Sequence, residues 1–535
     1  MLVRLEIALA VLMMTSLQTA HAAPGPEPPH FDVDTTYVEP SGRTIAVRAG
    51  GDLQAALNNA RPGDVISLEA GATFMGPFTL PPKAGGGWVI VRTSAPDGRL
   101  PRLGTRVDPS HAGLMPKLTA AAGSVITAAR GAHDYRLIGI EIHPTAGTFL
   151  QNLVELGSVE TSADDVPRHI IVDRCYLHGD PGRGTRRGIA LNARYGAVID
   201  SYLADFKEVG ADSQAIAGWN GPGPFKLVNN YLEAAGENVM FGGADPTIPL
   251  LVPADIEIRR NHFAKPLAWK RGDPAYALVP WTVKNLFELK NARRVLVEGN
   301  LFEHNWAHAQ SGFAVLFTPR NQDGRAPWSV VEDVSFVNNV VRGTASGINI
   351  LGRDDLSPAG SQQTKRVLIK NNLFLDVGGP RWGGGGRLIQ LLAGPTDVTV
   401  EHNTAFQTGN IITVDGEPPV RFVYRHNITP HNDYGIIGTG TGPGAATLAR
   451  YFPDGVITDN VIVGGNVALY PPGNFFPASL EDVGFMDRAS GDYRLAASSR
   501  YRRSRVGVDF EALAVAMGAG TSGRTQREQR SRTGG

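Results

Sequence analysis

A short phrase returns along most of this chain. Apolar residues alternate for a few positions, a small polar residue follows, usually Asn, and another apolar pair comes after it. It reads IIVDRCYL at 170–177, KLVNNYL at 226–232, IEIRRNHF at 256–263, VLVEGNLF at 295–302, VLIKNNLF at 367–374 and VITDNVIV at 456–463, with similar stretches between. The polar position falls at Cys175, Ser201, Asn230, Asn261, Asn300, Asn339, Asn372, Asn403, Asn427 and Asn460. A period of roughly 20–50 residues marks a solenoid, whose repeats bury their apolar faces against their neighbours. Alternation with period two makes the units strands rather than helix pairs. One Asn per turn, stacked on the next, predicts a column of amides that satisfies the polar groups of a tight corner.

The repeat resembles the right-handed parallel β-helix of the pectate-lyase superfamily. The resemblance covers residues 44–510 and implies an all-β solenoid with an N-terminal capping helix. The opening GDLQAALNNARPGDVISLEAGATF, 51–74, is similar to the cap of secreted β-helix carbohydrate enzymes. Leu53, Ala56, Leu57 and Ala60 follow the spacing of an amphipathic helix, and Asp52 is placed to cap it. Such a helix covers strand edges that would otherwise invite association.

Residues 1–22 read as a secretory signal: Arg4, an apolar run from Ile7 to Met14, and a small-x-small site at Ala20-His21-Ala22. The run is short for a membrane span. The expected location is therefore periplasmic or secreted. Residues 23–43 read as a Pro-rich linker, and 511–535 as a largely disordered tail. Lys+Arg and Asp+Glu balance at 51 each, which gives no field for nucleic acid. Cys175 is the only cysteine, so intrachain disulfides are excluded. A monomer acting on a polysaccharide is expected.

Two ladder intervals, 261–300 and 300–339, are the longest. Their extra residues lie around AKPLAWKRGDPAYALVP (264–280) and NQDGRAPWSV (321–330). Long loops on a regular scaffold are where sites concentrate. The same coils carry Glu237, Asn238, Lys284, Glu288, Lys290, Arg320, Arg353, Asp354 and Asp355. His304, Trp306 and His308 sit at the adjoining corner and are candidate substrate-binding residues, as are Arg353, Asp354 and Asp355. No HxH or HExxH spacing appears, so zinc is not expected.

A stretch of about 90 residues is similar to the alginate lyase and chondroitinase B family. That family carries an acidic GE-x-E-like motif, a Lys-Ser at a strand end, and an Arg one coil later. Here GEN at 236–238, ELKN at 288–291 and LFTPRN at 316–321 are the corresponding pieces. Val239 stands in place of the second acid and Asn291 in place of the serine. The resemblance implies β-elimination of a uronic-acid polymer, with Lys290 as base and Arg320 supporting charge. Lys284 is a second candidate base. Glu237, Asn238 and Glu288 would be the ligands of a Ca²⁺ that neutralises the substrate carboxylate. Two alternatives stand beside it: a glycoside hydrolase using Asp354 and Asp355, and a glycan-binding β-helix without catalysis.

Overall fold

The computed structural model describes residues 24–518. Each coil contributes one strand to each of three parallel sheets, as Asn285–Leu289, Ala292–Glu298 and Leu301–Asn305 do before Phe313–Phe317 opens the next coil. The sheet of first strands has 12 members, that of second strands 14, and that of third strands 13. The chain is a right-handed parallel β-helix, as the repeat requires. The capping helix is Leu53–Asn59, and the Asp52 side chain accepts from Ala55 N.

The predicted column lies at the corner between second and third strands. Asn230 N donates to Asn261 Oδ1, Asn261 N to Asn300 Oδ1, Asn300 N to Asn339 Oδ1 and Asn339 N to Asn372 Oδ1, each at 2.9 Å. Each carboxamide also donates back to a carbonyl of the preceding coil, as Asn339 Nδ2 does to Val297 O. Cys175 and Ser201 begin the run with smaller polar groups, and Asn474 extends it past Asn460. Before each column residue stands a residue in the left-handed region, with φ of 53° at Asp200, 56° at Asn338 and 57° at Asp459. That conformation turns the chain sharply, and the amide that follows satisfies the polar groups the turn exposes. Gly299 occupies one such position at φ 67°, where a Cβ would stand 2.3 Å from Ala516 O.

Inside, aromatic rings stack coil on coil: Phe263 on Phe302 at 4.4 Å, and Phe302 against Phe336 at 5.4 Å. Outside, the second-strand sheet carries repeated bidentate pairs, Arg294 with Asp255, Arg366 with Asp333 and Arg421 with Asp397.

Residues 24–43, within the expected Pro-rich linker, lie along the second-strand sheet as a strap. His30 N donates to Asp255 Oδ1, Glu27 N to Asp333 Oδ1, and Arg136 Nη1 to Thr35 O. Val33 is buried against Ile171 and Ala197. Proline withholds a donor from the sheet edge but leaves the neighbouring amides free to dock on side chains. Within the expected tail, Phe510–Ala516 is a helix capped by Asp509, and Asp509 N is held by Asn371 Oδ1. The expected signal, 1–22, and the end of the tail from 519 lie outside the described residues.

Candidate active site

The outer face of the first-strand sheet carries a row of stacked polar side chains. Asn152, Arg187, Gln214, Glu237 and Asn285 are register partners in succession. A second row runs through Met240, Glu288, Leu316 and Asn349. Between the rows two consecutive residues turn inward: Ala215 and Ile216 in one coil, Leu286 and Phe287 in a later one, all in the core. This break in alternation puts Asn285 and Glu288 on the same face although they are three apart. A strict period-two reading of 284–290 puts Lys284, Glu288 and Lys290 on one face and passes over Asn285.

The row is a relay of hydrogen bonds. Arg187 Nε donates to Gln214 Oε1 at 2.9 Å, and Gln214 Nε2 to Glu237 Oε2 at 2.7 Å. Asn285 Nδ2 donates to Glu288 Oε2 at 3.0 Å, and Thr318 Oγ1 to Glu288 Oε1 at 3.0 Å. Asn349 Oδ1 in the second row makes no hydrogen bond, and neither do two buried oxygens of the first, Glu237 Oε1 and Asn285 Oδ1. The last two belong to register partners one coil apart. Burial, with repulsion from Asp212 and Glu288, raises the Glu237 carboxyl to about 7 against the pull of Lys284 and Lys290. A buried acid whose oxygen accepts no hydrogen bond is a costly arrangement unless something positive meets it, and here the Lys284 ammonium does so at 3.6 Å, beyond hydrogen-bond distance.

Lys290 follows Glu288 at the strand end, with Nζ 3.8 Å from Glu288 Oε1. Arg320 N donates to Lys290 O at 2.9 Å, so the two bases occupy matching places in adjacent coils. Lys284 differs. Its Nζ is 2.6 Å from Asp212 Oδ2 and 3.6 Å from Glu237 Oε1. Burial disfavours its charge, but Glu237 and Asp212 outweigh that and raise its pKa. Lys284 is thus held as an ammonium, which suits a counter-charge and not a base.

The insertions build walls beside this face. On one side Asn321 N donates to Asp354 Oδ2, Asp245 Oδ2 accepts from Asp323 N and Arg325 N, and Trp328 Nε1 donates to Leu251 O. On the other, Trp269, Trp281 and Trp306 pack together with Val283, and Lys207 Nζ lies 5.2 and 5.1 Å from the first two rings.

Several expected residues are placed elsewhere. Trp306 is 4% exposed inside that tryptophan cluster, so its ring supports the wall and offers no face to a sugar. Asn238 turns inward, donating to Leu232 O and Ala264 O while its Oδ1 accepts from Lys265, so it is no metal ligand. His304 belongs to the third-strand sheet and stacks on Trp382 at 5.3 Å. His308 is exposed beside the groove, its Nδ1 accepting from Val283 N. Arg353 bends to Gln363. Asp354 and Asp355 both hold Arg320 Nη1. Asp354 also accepts from Asn321 N and Leu356 N; these bonds and Arg320 overcome burial and hold its pKa down. Gln214, Asp212, Asn285 and Thr318 are the site residues that sequence reasoning missed: amides and hydroxyls carry no motif here, and Asp212 reaches the site from a loop 72 residues before Lys284.

No protein-family model and no curated protein matches the sequence. Solved structures do match. A PL6 family alginate lyase, AlyGC, superposes with a TM-score of 0.55 at 13% identity, over 89% of this chain. Its fold is this fold. The chain spans 57% of that lyase's own length. A GH87 alpha-1,3-glucanase from Streptomyces thermodiastaticus is also similar, with a TM-score of 0.47 at 11% identity, over 84% of this chain and 72% of that one.

Proposed function

We propose that this chain is an exported polysaccharide-active enzyme that cleaves a uronic-acid polymer by β-elimination in the groove described above. The observation that carries the reading is a pair of buried oxygens that accept no hydrogen bond, Glu237 Oε1, with only the Lys284 ammonium at 3.6 Å, and Asn285 Oδ1, in the coils that lead to Lys290 and Arg320. Hard oxygen donors of this kind fit Ca²⁺. Glu237, Asn285 and Glu288 would hold it, and it would supply positive charge to the substrate carboxylate.

The chain's own groups supply the rest. Lys290 removes the proton from the carbon next to the carboxylate. That electron pair forms the new carbon–carbon double bond as the bond to the leaving glycosidic oxygen breaks, and the departing oxygen takes a proton back from the Lys290 ammonium or from water, which gives an alcohol and restores the neutral lysine. Arg320, held by Asp354 and Asp355, lies one coil along and stabilises the charge that develops. The same ion pairs disfavour hydrolysis by Asp354 and Asp355: a general acid needs a raised pKa, and Asp354 has the reverse.

The test is incubation of the full chain with a panel of anionic and neutral polysaccharides, followed by absorbance in the unsaturated-uronate band. A rise that chelation abolishes supports the reading. Reducing ends without absorbance mean hydrolysis, and binding without either means a glycan-binding scaffold; both overturn it.

A further inference from the structure

A second cluster of ligating side chains lies on a different sheet, among the third strands. Glu141 and His143 stand two apart on Glu141–Pro144, so they share a face. His178 closes the strand Tyr176–His178 of the next coil. Register pairs Glu141 with Tyr176 and Ile142 with Leu177, which sets His143 directly beside His178. The imidazoles stack with centroids 5.0 Å apart. One ligand atom from each of Glu141, His143 and His178 lies within 4.8 Å of the other two.

The ring nitrogens are already sorted. His143 Nδ1 faces Pro144 O at 2.8 Å, and His178 Nδ1 faces Gly179 O at 3.1 Å. A donor at Nδ1 leaves Nε2 to ligate, and this backbone support is the usual outer shell of a metal-bound histidine. His178 Nε2 is 3.1 Å from Glu141 Oε1. Two ligands of a tetrahedral ion with bonds of about 2.0–2.1 Å stand about 3.3 Å apart, so this pair needs almost no movement. Glu141 is buried, with its other oxygen 2.9 Å from Lys117 Nζ, while both imidazoles are half-buried and open to solvent.

The geometry points to a binding site for a borderline transition cation of the Zn²⁺ type, held by Glu141, His143 and His178 with water completing the shell. Two imidazoles select against Ca²⁺, which prefers oxygen. The site ties one coil to the next across residues far apart in sequence. It is separate from the groove and stands whether or not the lyase reading holds. The E-x-H spacing of 141–143, with a histidine one coil later, is the signal that a search for HxH and HExxH passes by.

The experiment uses the full chain without a histidine tag, stripped with a chelator and dialysed. Zinc chloride is titrated by calorimetry, and cobalt(II) by its visible bands. One ion per chain is expected, with a rise in melting temperature under Zn²⁺ that Ca²⁺ does not reproduce at this site. His143→Gln and His178→Gln should each weaken binding by about a hundredfold or more and remove the cobalt bands. Metal-free melting and groove activity should be unchanged. Lys117→Met should tighten Zn²⁺, because it removes a cation that competes for Glu141. Undiminished zinc binding in the His143→Gln/His178→Gln double variant would overturn the proposal. So would no binding below millimolar zinc, or Lys117→Met leaving affinity unchanged. If a histidine variant fails to fold, the cobalt spectrum of the unaltered chain and the Lys117→Met comparison still decide.

Discussion

The corner column and the groove are both stacks of polar side chains on the same coils, yet they are finished differently. In the column every amide is used twice: Asn339 Oδ1 accepts from Asn300 N and Nδ2, and its own Nδ2 reaches Val297 O and Asn372 Oδ1. In the groove the relay from Arg187 through Gln214 stops at Glu237 Oε2; Glu237 Oε1 accepts no hydrogen bond and has only the Lys284 ammonium near it, and the neighbouring Asn285 Oδ1 accepts none either. A stack that is complete holds the fold. A stack left incomplete in the interior has a surplus of charge and lone pairs to give a ligand.

The largest expected effect separates the two by readout. Lys290→Ala should lower turnover by about a thousandfold, within the usual range for loss of a general base. The melting temperature should scarcely move. Full activity in Lys290→Ala would remove the groove's claim to chemistry, whatever Ca²⁺ does.

Asn339→Leu should do the opposite. It strands the Asn300 N–H and the Val297 carbonyl in the core, at about 1–3 kcal/mol for each unsatisfied group. Urea unfolding should report a loss of about 3 kcal/mol or more. Asn474→Ala, at the partly exposed end of the column, should cost about 1 kcal/mol, because water can replace the lost partners. Equal costs at both positions would show that the column's interior carries no special weight.

These two stacks were also unequally legible in the sequence. The column could be read because Asn recurs at one phase of an apolar alternation, and its short carboxamide supplies both donor and acceptor in that space. The left-handed residue before it was less visible: Arg174, Asp200, Asn338 and His402 share a backbone angle and not a chemistry. The groove's charged members, Glu237, Lys290 and Arg320, stood out as charges on a strand. Asn285 and Gln214 did not, because the inward pairs Leu286–Phe287 and Ala215–Ile216 shift the phase of their strands. Trp306 was misplaced for a related reason. An aromatic in a corner loop reads as a sugar platform, but three tryptophans from one neighbourhood bury one another. The strap 24–43 gives no periodic signal, since its contacts are backbone amides on Asp255 and Asp333.

Glu237→Gln should sharpen the contrast by gaining stability while losing function. The folded state holds the Glu237 proton up to about 7, above the ordinary glutamate range. Between the two values the native state binds more protons than the unfolded chain, so stability falls as pH rises through that window. Above about 7 the full penalty is present, and the neutral amide removes it. Metal-free Glu237→Gln should therefore be about 1–3 kcal/mol more stable at pH 8, with the gain vanishing near pH 4. Activity should be lost at every pH, and chelators should no longer change the melting temperature through this site. A destabilised Glu237→Gln at pH 8 without metal would mean that Lys284 already neutralises the carboxylate fully, leaving no place for a cation.

The smallest effect is expected where the sequence alone promised more. Arg353 and Arg320 both follow first strands, one coil apart, and both were candidates for the groove. Arg320 is 17% exposed and is gripped by Asp354 and Asp355, whereas Arg353 is exposed and bonds only Gln363 through its side chain. Arg353→Ala should change stability by no more than about 0.5 kcal/mol, as surface substitutions usually do. Turnover and KM should stay near those of the parent. Arg320→Ala frees a buried Asp354 from its counter-charge, so it should destabilise the wall as well as slow the reaction. If Arg353→Ala instead raised KM strongly with kcat unchanged, the substrate would extend past the coil that carries Asp354. The binding groove would then be longer than the stretch marked by unpartnered oxygens.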